Sequence, residues 1–312
     1  MNIVSVTLNP CIDKTISIEK PIEISGTHRV CSTREEVSGK GINVSYLLRN
    51  WNYETKCLGF DFCNSDFPVA ESLKDKHISA SLHNVNGVIR CNIKIFDNSK
   101  KTMTEFNEKG MEVRKDDVEA VSFLIKKQIN EMSECDLLVL TGSVPPGVPK
   151  DFYREIIEYA SENGIRTVLD ASGDLLIEGI EASPFALKPN KEELECILGH
   201  KIKSEEEIGR VCSFLLDKGI KYICVSLGEK GALLACKEGL YYADPLEIEV
   251  KGIQGAGDSV VAGMCVAIQE GKGPEDILRY AMAAAAGSLI LEGTQMCKWE
   301  DFVRFLPEVI IR

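Results

Sequence analysis

From about residue 136 onward the chain alternates short apolar runs with longer amphipathic stretches, the pattern of strands separated by crossover helices. A parallel sheet follows, since a helix between two strands returns the chain to its starting end. The predicted strands are residues 137–140, 167–169, 185–187 and 222–226, with a hairpin-like pair at 233–236 and 240–242. Helices are predicted over 150–163, 191–198 and 204–218, each followed by a glycine placed as a C-cap (Gly164, Gly199, Gly219).

The first third differs. Residues 15–19, 27–37, 88–97 and 102–107 alternate with period two, which predicts a small antiparallel sheet. Helical segments at 42–50 and 67–76 interrupt these strands, so the small sheet is read as an excursion from the main α/β layers. The chain ends in three helical patterns, 258–270, 274–291 and 299–311, the middle one rich in alanine and suited to close packing near a site.

A net charge of -12 repels phosphate backbones and anionic membranes, which argues against nucleic-acid and membrane partners. A small anionic substrate then requires a local basic cluster. The 12 cysteines include no Cys-x-x-Cys pair, and Cys91, Cys224, Cys236 and Cys265 sit in apolar runs as buried hydrophobes. With four scattered histidines, a zinc site has little support. The amino terminus reads as a first strand, not a leader, and the weakly polar stretch 281–291 is far short of the roughly 20 residues that span a bilayer. The expectation is a cytoplasmic protein.

The strongest chemical signal is Gly255-Ala256-Gly257-Asp258-Ser259, between the strand-like residues 248–250 and an apolar helix. Small residues there leave backbone N–H groups open at a positive helix end, a site for an anion such as a transferring phosphoryl group. Asp258 is either a helix N-cap or a base that accepts the proton of an attacking hydroxyl. Neither standard nucleotide loop is present. Val260 and Val44 occupy the third-glycine positions of a dinucleotide fingerprint, and Gly39-Lys40 lacks the earlier glycine of a phosphate loop because Arg34 stands there.

Taken in order, six segments resemble the ribokinase-like (PfkB) carbohydrate kinases, in the 1-phosphofructokinase and tagatose-6-phosphate kinase branch. They are Thr7-Leu8-Asn9-Pro10-Cys11-Ile12-Asp13, Gly39-Lys40-Gly41-Ile42-Asn43-Val44, Gly142-Ser143-Val144-Pro145-Pro146-Gly147, Leu187-Lys188-Pro189-Asn190-Lys191-Glu192-Glu193, Ser226-Leu227-Gly228 and Gly255-Ala256-Gly257-Asp258. The resemblance runs nearly end to end. It implies one ribokinase-like domain over residues 1–312, three-layered with a mostly parallel central sheet, and a small β lid drawn from about 12–37 and 87–108. It also implies ATP as phosphoryl donor and Mg2+ carried mainly with the nucleotide.

The resemblance assigns roles. Asp258 is the expected catalytic base, with the amides of Gly255, Ala256 and Gly257 as its anion hole. Asp13, Gly39, Lys40, Asn43 and Ser143 are expected on the substrate side, and Lys188, Asn190, Ser226 and Gly228 on the nucleotide side. Glu193 with Asn190 is expected to influence the metal indirectly; the same pair also suits an N-cap with its third-residue partner. Asp13 and Asn43 have the plainer alternatives of a turn residue and a helix cap.

Strand alternation puts Arg90, Asn92 and Lys94 on one face. That face is either solvated surface or, with Lys40 and the weaker candidate Arg29, the cluster that a phosphorylated substrate requires. Fructose 1-phosphate is the first expected substrate and tagatose 6-phosphate the second. Ser38, Ile253 and Gln254 depart from the family pattern, as does the glycine-poor stretch after Gly59. These departures motivate a rival, a sugar-phosphate sensor with little or no catalysis. The exposed edges of a lid sheet suggest a homodimer through the lid.

Overall fold

The computed structural model describes residues 2–100 and 102–312. Met1 and Lys101, which fall in the predicted first strand and lid, lie outside the described residues. The chain opens with β1 (Ile3–Thr7), β2 (Cys11–Ile18) and β3 (Val30–Ser38), then α1 (Lys40–Asn50) and β4 (Thr55–Phe62). Next come α2 (Val69–Asp75), β5 (Ser79–Val85), β6 (Arg90–Asp97), β7 (Thr102–Phe106) and α3 (Lys115–Glu131). Alternating units follow: β8 (Leu137–Thr141), α4 (Phe152–Glu162), β9 (Arg166–Asp170), α5 (Gly173–Glu181), β10 (Ala186–Leu187), α6 (Lys191–Leu198) and α7 (Glu205–Asp217). The last part holds β11 (Tyr222–Ser226), β12 (Ala232–Cys236), β13 (Gly239–Ala243), α8 (Ala256–Gln269), α9 (Pro274–Leu289) and α10 (Trp299–Phe305).

Among the described residues, nine strands form one sheet in the order β13-β12-β11-β10-β9-β8-β1-β4-β5, parallel except where β12 pairs with β11 and β13. Alternating residues of its central strands enter two separate cores. Val4, Leu138 and Leu140 pack with Ile125, Phe152 and Ile156 on one face, while Ile3, Leu137 and Val139 pack with Leu47, Val261 and Ala283 on the other. Helices cover both faces, which is why β1 and β8 are buried at every position rather than on one face only. The lid is a second sheet, β3-β2-β6-β7, with β2 and β6 parallel and both outer pairs antiparallel.

The predicted strands from residue 137 onward and the lid strands are present, with boundaries moved by a few residues. Four elements carried no legible signal: β4, β5, α3 and α5. In β4 the aromatic-polar run Phe60-Asp61-Phe62 hides the strand, because Asp61 turns inward and accepts the Val69 and Ala70 amides at 2.9 and 3.0 Å, capping α2 from outside it. Residues 248–250 are not a strand. The sheet edge is taken by β13, so this stretch has no ladder to join and Val250 is exposed. The final helix stops at Phe305 rather than near 311, because Pro307 tightens the chain into a 3-10 turn, and Ile311 instead bridges to Ala243. Cys91 is half-buried on the outer lid face, unlike buried Cys224, Cys236 and Cys265. No helix among the described residues is long and apolar enough to cross a membrane.

Candidate active site

Thr141 and Asp170 end β8 and β9, Lys188 follows β10 and Ser226 ends β11. All four therefore sit at the carboxyl ends of parallel strands, where an open α/β sheet leaves its ligand crevice. Two helices aim their amino termini at the same place. For α1 the approach is close: a Cβ on Gly41 would stand 2.4 Å from Thr7 Oγ1 and 2.7 Å from the Val6 carbonyl oxygen. Glycine at 41 lets the helix start touch the end of β1, which carries Lys40 and Asn43 into the crevice.

Helix α8 begins at Ala256, with Gly255 as N-cap at φ 70°, a left-handed conformation that glycine adopts without strain. Asp258 is thus the third helical residue and not the cap, and its side chain makes no cap bond. Its carboxylate turns into the protein, where Oδ2 accepts from Asn43 Nδ2 at 2.7 Å. Asn43 likewise is no cap, since Gly39 holds that position and Asn43 is the fourth residue of α1. The first amides of α8 have no partner within the helix by its geometry, so those at Gly255, Ala256 and Gly257 stay open. Burial pushes the Asp258 carboxyl up to about 6, with Lys40 pulling it down and Asp170 pushing it up. A base near that value is ionised at neutral pH yet ready to hold a proton.

Asp170 is a central residue that the sequence reading missed. Its buried carboxylate receives Lys40 Nζ at 3.1 Å and Thr141 Oγ1 at 3.0 Å, and Lys188 Nζ lies 3.2 Å from its other oxygen. Burial opposes its charge, but Lys188 and Lys40 hold its pKa below the usual value. The only available signal was position: a lone aspartate at the end of an apolar strand run.

In the lid sheet, β2 sets Asp13 beside Asn92 of β6. Lys94 Nζ donates to Asp13 Oδ2 at 2.7 Å and Asn92 to Asp13 Oδ1 at 3.2 Å, all three residues being buried. The Arg90-Asn92-Lys94 face is therefore turned inward and is not solvated surface. Arg90 donates to the carbonyls of Asn9 and Glu108, and Asn9 in turn donates to Ser143 Oγ at 3.1 Å. Arg90 and Ser143 so meet at one residue, whereas Arg29 is exposed, just before β3. Gly39 has φ 151°, and a Cβ there would press on Thr7 Cγ2 at 2.7 Å.

On the other side, Asn190 and Glu193 form a reciprocal capping box on α6, with bonds of 2.7 and 2.8 Å. The structural alternative for this pair is realised, and Glu193 still faces the site: burial raises its pKa, and the charges of Lys188, Asp170 and Lys40 act on it. Ser226 bridges to Asn190, and Gly228 at φ 62° leaves open space above it. Ile253 is exposed, while Gln254 is buried with no hydrogen-bond partner for its amide. No group of three or more His, Cys, Asp or Glu side chains able to hold a metal occurs among the described residues. A magnesium ion carried on nucleotide phosphates keeps most of its waters and asks the protein for only one or two carboxylates, such as Glu193.

Comparison with known proteins identifies the family and the fold. A family model described as pfkB family carbohydrate kinase matches residues 6–301. The chain is 33% identical over 310 residues to 1-phosphofructokinase of Bacillus subtilis, covering 98% of both chains. It is 30% identical over 312 residues to 1-phosphofructokinase of Xanthomonas campestris, covering 98% of this chain and 94% of the relative. Among solved structures, phosphofructokinase-2 from Escherichia coli in complex with potassium superposes with a TM-score of 0.90 over 98% of both chains, at 23% identity, which speaks for the fold.

Proposed function

This chain belongs to the pfkB family of carbohydrate kinases, and on that premise we propose that it transfers the γ-phosphoryl group of ATP to the free primary hydroxyl of fructose 1-phosphate, giving fructose 1,6-bisphosphate and ADP. The observation that carries this reading is the buried carboxylate of Asp258, held by Asn43 beneath the open amides of α8 and flanked by Lys40 and Lys188. Full-length likeness to two 1-phosphofructokinases supports the choice of sugar.

Asp13, steadied by Lys94 and Asn92, orients the sugar hydroxyls, and Arg90, Ser143 and Lys40 receive the substrate phosphate. Gly39 and Asn43 complete that wall. Asp258 takes the hydroxyl proton as the oxygen attacks the γ-phosphorus and the bond to the bridging oxygen breaks, releasing ADP. The amides at 255–257 and Lys188 stabilise charge on the moving group. Lys188, Asn190, Ser226 and Gly228 line the nucleotide side. Glu193 and Asn190 would be the protein groups beside a Mg2+ ion carried with the nucleotide, whose charge would offset that of the phosphates.

We read residues 1–312 as one kinase domain whose lid, taken from about 12–37 and 87–108, closes over the sugar. Free thiols at all twelve cysteines support a reducing, cytoplasmic setting. Exposed Ile93 and Phe106, paired across β6 and β7, support a homodimer through the outer lid face.

The test is an ADP-release assay with ATP and Mg2+ against fructose 1-phosphate, tagatose 6-phosphate, fructose 6-phosphate and fructose. Selective turnover of fructose 1-phosphate is expected. Preference for tagatose 6-phosphate would move the chain to the neighbouring branch, and binding without turnover of any sugar would leave the sensor.

A further inference from the structure

Asp170 is itself assigned no contact with substrate, yet its arrangement exceeds what structure alone requires. One buried carboxylate needs one counter-ion, and Asp170 has two: Lys40 from the start of α1 and Lys188 from the end of β10. The lysines arrive on different oxygens, Lys40 on Oδ2 and Lys188 on Oδ1. A carboxylate is planar and about 2.2 Å across its oxygens, so two ammonium groups bound this way are held apart in fixed directions.

The carboxylate is itself immobilised. Thr141 Oγ1 donates to it at 3.0 Å, the Gly142 amide donates to the Asp170 carbonyl at 2.9 Å, and Tyr153 hydroxyl contacts the carbonyls of Thr141 and Gly142 at 3.2 Å. Both ammonium groups then reach the reaction zone. Lys188 Nζ lies 3.8 Å from where a Cβ of Gly257 would stand, beside the amides of α8. The Lys40 side chain is 41% exposed, so it faces the open crevice.

We propose that Asp170 is a positioning residue for phosphoryl transfer, which sets Lys40 on the sugar side and Lys188 on the nucleotide side of the group in flight. Its excess of cation is answered by Asp258 in the free protein and by phosphate oxygens in the complex. The inference rests on the kinase reading above. Asp170 forms no bond to substrate and exchanges no proton; its effect passes through the lysines.

Asp170→Asn keeps the shape and removes the charge. The expected result is a fall in kcat of about 10- to 100-fold from loosened lysines, with KM for ATP unchanged or lower, because two uncompensated ammonium groups still attract phosphate. The acid limb of the kcat/KM profile should also move to lower pH by more than about half a unit. The groups facing Asp258 are Lys40 and Asn43 from α1, Asp170 from β9 and Lys188 after β10, with Glu193 of α6 behind the lysines, and the substitution removes the anion that presses on Asp258. Asp170→Glu, which keeps the charge and lengthens the arm, should lower kcat and leave the limb in place.

Unchanged kcat and an unmoved limb in Asp170→Asn would overturn the proposal. So would a loss of thermal midpoint and active fraction with the limb fixed, which is the mark of a purely structural residue. If Asp170→Asn fails to fold, the Glu variant decides by its kcat alone. Wild-type protein runs alongside: no turnover there sinks the kinase reading and this inference together, while normal turnover with an unaffected Asn variant sinks the inference alone.

Discussion

Asn43 Nδ2 donates to Asp258 Oδ2 at 2.7 Å, a bond between residues 215 positions apart that joins the first turn of α1 to the first turn of α8. Burial drives the Asp258 carboxyl towards its neutral form, and this amide donor, with Lys40, favours the ionised one. The bond also aims the carboxylate, so both the charge and the direction of the base depend on a contact between distant segments.

Asp258→Asn is expected to lower kcat by about 10³-fold while leaving binding of a non-hydrolysable ATP analogue within a factor of about three. Steady-state kinetics and calorimetry on the same preparation check this. A near-normal kcat would remove Asp258 as the base.

The folded pKa of Asp258 is raised to about 6, so protonation favours the folded state, and the penalty of burying the charge is complete above that value. Activity should fall as pH drops through about 6, since the base is then protonated. Stability should respond oppositely: Asp258→Asn raises the thermal midpoint at pH 8, and the gain shrinks below pH 5. A gain equal at both pH values would contradict the burial argument.

Lys94→Met should destabilise the protein by about 3 kcal/mol, because it leaves the buried Asp13 carboxylate without its cation. Urea unfolding measures the cost. KM for fructose 1-phosphate should rise with it, as Asp13 loses its fixed direction, whereas KM for ATP should stay put.

Glu193→Gln keeps the shape of the capping box on α6 and removes only charge. The Mg2+ concentration for half-maximal rate should rise several-fold with the thermal midpoint within a degree or two. Loss of stability with unchanged Mg2+ dependence would confine Glu193 to capping.

Gly59→Ala should abolish folding or cost more than about 4 kcal/mol, because at φ 149° a Cβ would meet the Thr7 carbonyl oxygen at 1.8 Å, inside the β1–β4 ladder. Gly173→Ala is the control. It sits at φ 59° with nothing within 4 Å, and should cost about 1 kcal/mol.

Much of the main sheet was legible because β8, β11 and β12 are buried on both faces and so read as nearly unbroken apolar runs. The lid was legible from its period of two. What escaped lacks a local period: β4 carries an inward aspartate that caps another helix, and residues 248–250 alternate like a strand but find no partner. At the site, the glycines and Asp258 stood out because their residue types are costly or unusual where they occur. Asp170 did not, because one acidic residue at a strand end is unremarkable until two lysines reach it.

The amino-acid sequence by itself determined the alternation of strand and helix, the open helix terminus at 255–257 and the inventory of charged groups, since periodicity, backbone freedom and side-chain chemistry are local properties. Tertiary structure decided which charges meet. Lys40, Lys188 and Asp170 lie on three separate elements, and only the parallel order of β8, β9 and β10 beside β1 brings their ends together. Pairing a buried ion depends on distance in space, and distance in space is set by packing across the whole sheet.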